Sequence, residues 1–483
     1  MKSPRKPNIL FLMDDQHRSD SLGCAGHPAV RTPVLDALAG EGVCFSRAYS
    51  SVPSCTPARA ALLTGRSPWG HGMLGYGDIA PRYDAEKPRL LAKAGYRTAA
   101  IGKNHFEPPR NAHGYETVVL EEGWYSEAGP RTPFKCDYIR FFEQAAPGEN
   151  PNATGLGYND RTVCAFPFAD ELHPTHFTAQ RAIDYLNAYK SDEPFFLKVS
   201  FQRPHPPYDP PRRFLDMFKD AAIPSAAAGA WSTEAFGDFG PPCDPWAPRA
   251  NLGPEAVRET RQGYYAAIAF VDEQIGRLLA VLRARGLADN TLILFTSDHG
   301  EMAGDHHLWR KTYAFEGSAR VPMILWWGDD VLEAPRGRRL DQLVELRDVL
   351  PTFLDAAGSP TPPTVEGRSM LDLIRGRSEG WRTTLDLEHA ACYWPASGWT
   401  ALTDARHKYI YHSFDGRQQL FDLANDPLEQ NDLAGEQTHA TVLGAWRSRM
   451  IEHLAVRGEA WVKGGDLALQ PQRILYGANY PQP

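Results

Sequence analysis

Short apolar runs alternate with helical patterns along most of the chain, then give way to closely spaced strand-like pieces, and together these predict an α/β protein. The expected architecture is a large, mostly parallel sheet sandwiched by helices, with a small antiparallel sheet beside it. The 483 residues suit two unequal units. The break is placed at residue 375, so that 1–375 forms the α/β unit and 376–483 a small α+β unit with an irregular tail.

Five runs read as strands: Asn8 to Met13, Arg97 to Gly102, Pro194 to Phe201, Thr291 to Thr296 and Val321 to Trp327. Before the fourth, Ile268, Val271, Ile275, Leu278, Leu279 and Leu282 recur at spacings of three and four, and Gly286 stands where a helix would stop. That pattern predicts a core-facing amphipathic helix, and a second is expected from Val344 to Ala357. Two stretches read as long aromatic loops that build or cover a binding site: Phe106 to Pro174, and Pro206 to Pro254 with Trp231, Phe236 and Trp246. Near the end, Lys408 to His412 and Gln419 to Leu423 read as strands before a polar turn and a final helix. The tail after Gly464 is irregular and could reach a neighbouring subunit in a homo-oligomer.

Composition narrows the function classes. Hydrophobic residues make up 42% and charged residues 23%, which supplies a core and gives no sign of disorder. A formal net charge of −8, with no Lys/Arg block to offset it, argues against nucleic acid as a partner. No apolar stretch approaches the roughly 20 residues of a membrane span. The basic start gives way after Met13 to Asp14 and Asp15, too soon for a signal peptide, so the expectation is a cytoplasmic protein with no membrane partner. Seven cysteines without a C-x-x-C pair argue against a disulfide framework.

In an open parallel sheet, ligands gather at the carboxyl ends of the strands. Four runs end in reactive residues: Asp14-Asp15, Lys103-Asn104-His105, Arg203-Pro204-His205 and Asp298-His299. Adjacent carboxylates at Asp14 and Asp15 either cap a following helix or are neutralised by a hard cation, with Asp298 as a third carboxylate. Ser54 to Gly65 reads as a turn and a short apolar helix, with Cys55 at its N-terminus and Arg59 one turn on along the same face. Such a cysteine is an activated thiol, part of an anion cradle, or a plain buried residue.

Cys55-x-Pro57-x-Arg59 followed by Ala60 to Gly65 resembles the signature of type I sulfatases of the alkaline phosphatase superfamily, in which the Cys is oxidised to formylglycine. The resemblance runs along nearly the whole chain. It takes in Asn8 to Gln16, Thr32 to Asp36, Ala94 to His105 with its Lys-x-His pair, Pro204 to Tyr208, Thr296 to His299, Gly304 to His307, Lys311, and Leu420 to Leu433. Asn104 departs from it, since many relatives carry Trp there.

The resemblance implies a sulfuric ester hydrolase acting on a carbohydrate or aryl sulfate monoester. It implies a divalent metal, calcium by expectation with magnesium and manganese as alternatives, held by Asp14, Asp15, Asp298, His299 and the modified Cys55. The hydrated aldehyde of residue 55 would attack sulfur, with Arg59, Lys103 and Lys311 on the sulfate oxygens. His205, helped by Lys311, would protonate the departing alcohol, and His105 would take the proton of the second hydroxyl so that sulfate is expelled. The implied partners are a small sulfated substrate and a formylglycine-generating maturase. His306, His307, Trp309 and Arg310 either line the substrate side or pack a loop, and Glu301 receives no role. Two rival readings are a phosphonate monoester or phosphodiester hydrolase, where hydroxyl residues commonly replace Lys-x-His, and a catalytically silent carbohydrate-binding relative. The latter would have lost Cys55 or a metal ligand.

Overall fold

The computed structural model describes residues 5–122, 134–236 and 247–482. Trp246 of the second aromatic loop lies outside the described residues, as does Cys243. The first strands in chain order are β1 (Asn8–Asp15), β2 (Val43–Phe45), β3 (Ala48–Tyr49), β4 (Arg97–Gly102) and β5 (Thr117–Leu120). They are followed by β6 (Phe195–Pro204), β7 (Thr291–Ser297), β8 (Met323–Trp327), β9 (Arg338–Leu340) and β10 (Val344–Glu345). Eight of these form one sheet in the order β5-β4-β6-β1-β7-β8-β2-β9. Neighbours are parallel except around β8, which runs against both β7 and β2.

The central strands are buried on both faces, which is why they read as continuous apolar runs and not as alternating ones. Along β1, Ile9, Phe11 and Met13 enter one core while Leu10 and Leu12 enter the other. The second core is closed by the 32-residue helix Gly253–Ala284, which contributes Val271, Ile275, Leu278, Leu279 and Leu282. The first is closed by the helices Cys55–Thr64 and Val349–Ala356. The second helix begins later than the sequence predicts. Val344 and Glu345 pair with Ala48 and Tyr49 as strand, and a capping box between Glu345 and Asp348 sets the turn that starts the helix. The two long loops carry short helices of their own, at Asp137–Ala145, Arg212–Phe218 and Ala230–Phe236.

Strands β11 (Leu385–His389), β12 (Trp399–Thr403), β13 (His407–His412) and β14 (Gln418–Asp422) form a four-stranded antiparallel sheet in sequence order. The helix Ala440–Ala455 covers one face through Trp446, Met450 and Leu454. The other face packs Leu385, Leu387, Ile410 and Phe421 against Tyr49, Tyr313 and Phe315, so the small sheet abuts the strand-end side of the large one. Part of the tail seats on its own chain: Leu74 N–H donates to Leu475 O at 2.9 Å and Asp78 N–H to the Tyr476 hydroxyl at 2.8 Å. Among the described residues, no helix is long and apolar enough to cross a membrane.

Candidate active site

The carboxyl ends of β1 and β7 lie side by side, with Asp14 in register with Ser297, and Asp15 pairs across to Pro204 at the end of β6. The strand ends therefore bring Asp15, Asp298, His299 and His205 to one edge. At the end of β4, Gly102 has a φ of +98° and a side chain there would meet the Ser200 carbonyl at 2.0 Å. Only glycine lets the chain turn so close to β6 and deliver Lys103. The helix Cys55–Thr64, buried along its whole length, starts at the same place. Gly65 ends it in the left-handed conformation.

One donor atom from each of Asp15, Cys55, Asp298 and His299 lies within 4.8 Å of the others, and all four residues are buried. Cys55 Sγ is 3.2 Å from His299 Nε2 and 3.8 Å from Asp15 Oδ1. His299 Nδ1 sits 2.9 Å from the Gly300 carbonyl, which places a ring proton on Nδ1 and turns Nε2 toward the cluster. Asp14, expected beside Asp15 as a ligand, stands outside this group. Its Oδ2 is taken by His17 Nδ1 at 2.6 Å. Its Oδ1 is buried and without a hydrogen-bond partner.

Three cations stand around the cluster, each engaged differently. Arg59 donates from Nε to Asp298 Oδ2 at 2.9 Å, from Nη2 to Asp15 Oδ2 at 3.0 Å, and from Nη1 to the Lys103 carbonyl at 2.8 Å and Ser200 Oγ at 3.2 Å. With its fork occupied this way, Arg59 braces the two carboxylates. Lys103 Nζ lies 2.6 Å from Asp15 Oδ2, donates to the Tyr158 hydroxyl at 2.9 Å and stands 3.8 Å from Cys55 Sγ. Lys311 Nζ donates to Gln16 Oε1 at 2.7 Å. His105, at a φ of +60°, turns Nε2 to within 3.3 Å of the Tyr76 hydroxyl.

The charges set the protonation states. Burial and Asp15 oppose a thiolate at Cys55, but Lys103, Lys311 and His299 outweigh them and hold the thiol well below its ordinary range. Burial, with Asp15 adding to it, raises Asp298 to about 6. His205 is pushed well below the usual histidine range by burial first and then by Lys311 and Lys103. Its Nδ1 is 2.8 Å from the Pro206 carbonyl, so Nδ1 carries the proton and Nε2 is an acceptor.

Further residues complete the site, and some of them carried no signal that sequence reasoning could use. Tyr158 lies within an aperiodic loop, yet its ring packs on His205 at 4.4 Å between centroids. Asn104 is buried and accepts from Lys198 Nζ at 2.9 Å, so its departure from Trp matches a lysine beneath it. Glu122 receives the backbone N–H groups of Asn104 and His105, fixing the turn that presents Lys103. Gln16 closes the first strand motif, and Glu301 binds its amide.

A cysteine at a helix start, facing two carboxylates and an imidazole at the carboxyl edge of a mostly parallel sheet, defines a hydrolytic centre of the alkaline phosphatase type. The family model described as Sulfatase matches residues 7–359, that of the N-sulphoglucosamine sulphohydrolase C-terminal region matches residues 304–455, and the chain belongs to the sulfatase family. It is 36% identical over 472 residues to an arylsulfatase of Clostridium perfringens, an alignment covering 96% of this chain and 97% of that one. Identity to a choline-sulfatase of Rhizobium meliloti is 33%, over 93% of this chain and 87% of the other. Among solved structures it superimposes on a phosphonate monoester hydrolase of Agrobacterium radiobacter with a TM-score of 0.77 at 26% identity, covering 93% and 96% of the two chains.

Proposed function

We propose that this enzyme hydrolyses small aryl or carbohydrate sulfate monoesters, using formylglycine made from Cys55 by a maturase and a divalent cation, calcium in preference to magnesium or manganese. The observation that carries the reading is Cys55 Sγ at a helix start, 3.2 Å from His299 Nε2 and inside a cluster with two carboxylates. The donor set fits such a cation. Two carboxylates favour a hard ion, and oxidation of the thiol replaces its soft sulfur by oxygen. Asp15, Asp298, His299 and residue 55 would hold it, and the unpartnered Oδ1 of Asp14 offers one more oxygen. A cation bound there supplies Lewis acidity and lowers the pKa of the oxygen donors around it.

The chain's own groups do the rest. Arg59 keeps both carboxylates turned inward, and Lys103 and Lys311 face the sulfate oxygens. One hydroxyl of the hydrated residue 55, its proton lost to water, would attack sulfur as the ester oxygen departs. His205, helped by Lys311, passes a proton to the departing alcohol. The second hydroxyl then gives its proton to His105, the aldehyde re-forms and sulfate leaves; a plain serine or cysteine lacks that second hydroxyl.

The test is co-expression with a formylglycine-generating maturase, mass spectrometry of the peptide bearing residue 55, and a panel of aryl sulfates, sulfated monosaccharides, sulfated disaccharides and an aryl phosphonate. Sulfate release that scales with conversion of Cys55 is the expected result. A preference for the phosphonate would move the assignment to phosphonate ester hydrolysis, and a fully converted protein inert toward the whole panel would favour a silent binding relative.

A further inference from the structure

Glu301 lies buried two residues beyond His299, with 2% of its surface exposed. One of its oxygens, Oε2, accepts from the Gln16 side-chain amide. The other, Oε1, accepts from the backbone N–H of Ala303 at 2.9 Å and from that of Arg310. The same Gln16 amide presents its oxygen to Lys311 Nζ at 2.7 Å. A lysine ammonium only donates and a carboxylate only accepts, so this chain of contacts admits a single orientation of the Gln16 amide. The backbone of Gln16 is fixed as well: its N–H donates to Asp298 Oδ1 at 3.2 Å and its carbonyl accepts from the Tyr264 hydroxyl at 2.7 Å.

We infer that Glu301 is a positioning residue for Lys311, acting through Gln16, an inference that rests on the reading in which Lys311 serves the sulfate ester. The carboxylate fixes the lysine twice. It gathers the backbone at Ala303 and Arg310, immediately before Lys311, and it polarises the amide whose oxygen holds Nζ. The amide also keeps the two charges apart, so Lys311 is oriented without being paired to a carboxylate and stays open to an anionic substrate. A glutamine at 301 would break the arrangement. Keeping its oxygen on the two backbone N–H groups would turn its NH2 toward Gln16, flip that amide, and set NH2 against the Lys311 ammonium.

The test uses the full chain co-expressed with maturase, an aryl sulfate as substrate, and four variants: Glu301→Gln, Gln16→Met, Lys311→Met, and the double variant Glu301→Gln with Lys311→Met. Glu301→Gln and Gln16→Met are each expected to lower kcat by about 10-fold to 100-fold, the effect of slightly misplacing a catalytic group. Formylglycine content by mass spectrometry and divalent-cation affinity by titration of the metal-free enzyme should stay unchanged. In the Lys311→Met background, Glu301→Gln should change kcat by less than about twofold, because the group it positions is gone. If the Glu301→Gln loss persists undiminished in that background, or if Glu301→Gln and Gln16→Met leave kcat intact, the inference is overturned. A Lys311→Met enzyme with wild-type kcat would instead remove the role of Lys311, and a fully converted wild type inert toward sulfate would remove the functional reading itself.

Discussion

Asp15, Asp298 and Cys55 stand at two strand ends and a helix start, whereas His105, Lys311 and their neighbours come from irregular chain in which His105, Arg310 and Thr312 have φ angles of +60°, +70° and +80°. The first side of the site is placed by backbone hydrogen bonding: once β1, β6 and β7 pair in register, their tips meet. The second is placed by side chains that fasten the backbone, Glu122 beneath Asn104 and His105, and Glu301 beneath Ala303 and Arg310. A catalytic centre can thus be half scaffold and half network. The two halves should fail differently when perturbed.

Substitution on the scaffold side carries the largest effect. Cys55→Ala or Asp298→Asn should reduce sulfate release on the order of 1,000-fold or more, read as kcat with an aryl sulfate. Arg59→Lys comes next. A lysine cannot span Asp15 and Asp298 at once, so divalent-cation affinity should fall about 10-fold to 100-fold, read by titration of the metal-free enzyme. Equal affinity in this variant would show that the carboxylates need no brace.

Stability changes distant from both sides sharpen the contrast. Lys408 is fully buried between Glu316 Oε1 at 2.7 Å and Glu429 Oε1 at 2.9 Å, where the four-stranded sheet meets the rest of the chain. Lys408→Met leaves two buried carboxylates without their cation and should cost about 3–5 kcal/mol in denaturant unfolding. The last effect is graded with pH and is the smallest within any one pH unit. Lys87 is buried with Nζ 4.2 Å from the Phe11 ring centroid, and burial lowers its pKa to about 7. The unfolded lysine titrates near 10.5, so between those values the unfolded chain binds more protons and stability rises with pH. The stabilising contribution is complete above 10.5 and is lost as pH falls through about 7. Lys87→Met should therefore flatten the stability profile over that window by up to about 1.4 kcal/mol per pH unit, measured by urea unfolding at several pH values.

The large sheet was legible because strands buried on both faces leave continuous apolar runs, and Arg97 to Gly102 was readable to the residue. Cys55, Asp298 and His299 were legible for the same reason: strand ends and helix starts are fixed by local pattern. The single reversed strand β8 was not, since β7 and β8 look alike in composition and direction is set by the connection between them. Nor could the sequence separate Asp14 from Asp15. Only the contact of Asp14 with His17 distinguishes them. Gln16, Glu122, Tyr158 and Glu301 went unread because each acts on a partner far away in the chain, as with Glu301 and Gln16, 285 positions apart.

Residue 55, after oxidation, is proposed as the nucleophile of a divalent-cation centre formed with Asp15, Asp298 and His299. The most direct test of that role is the rate of sulfate release from an aryl sulfate, measured on samples with graded formylglycine content and with the divalent cation removed and restored. The expected result is a rate proportional to formylglycine content that vanishes on chelation and returns with calcium. Turnover that is independent of residue 55 oxidation, or undiminished without the cation, would contradict it.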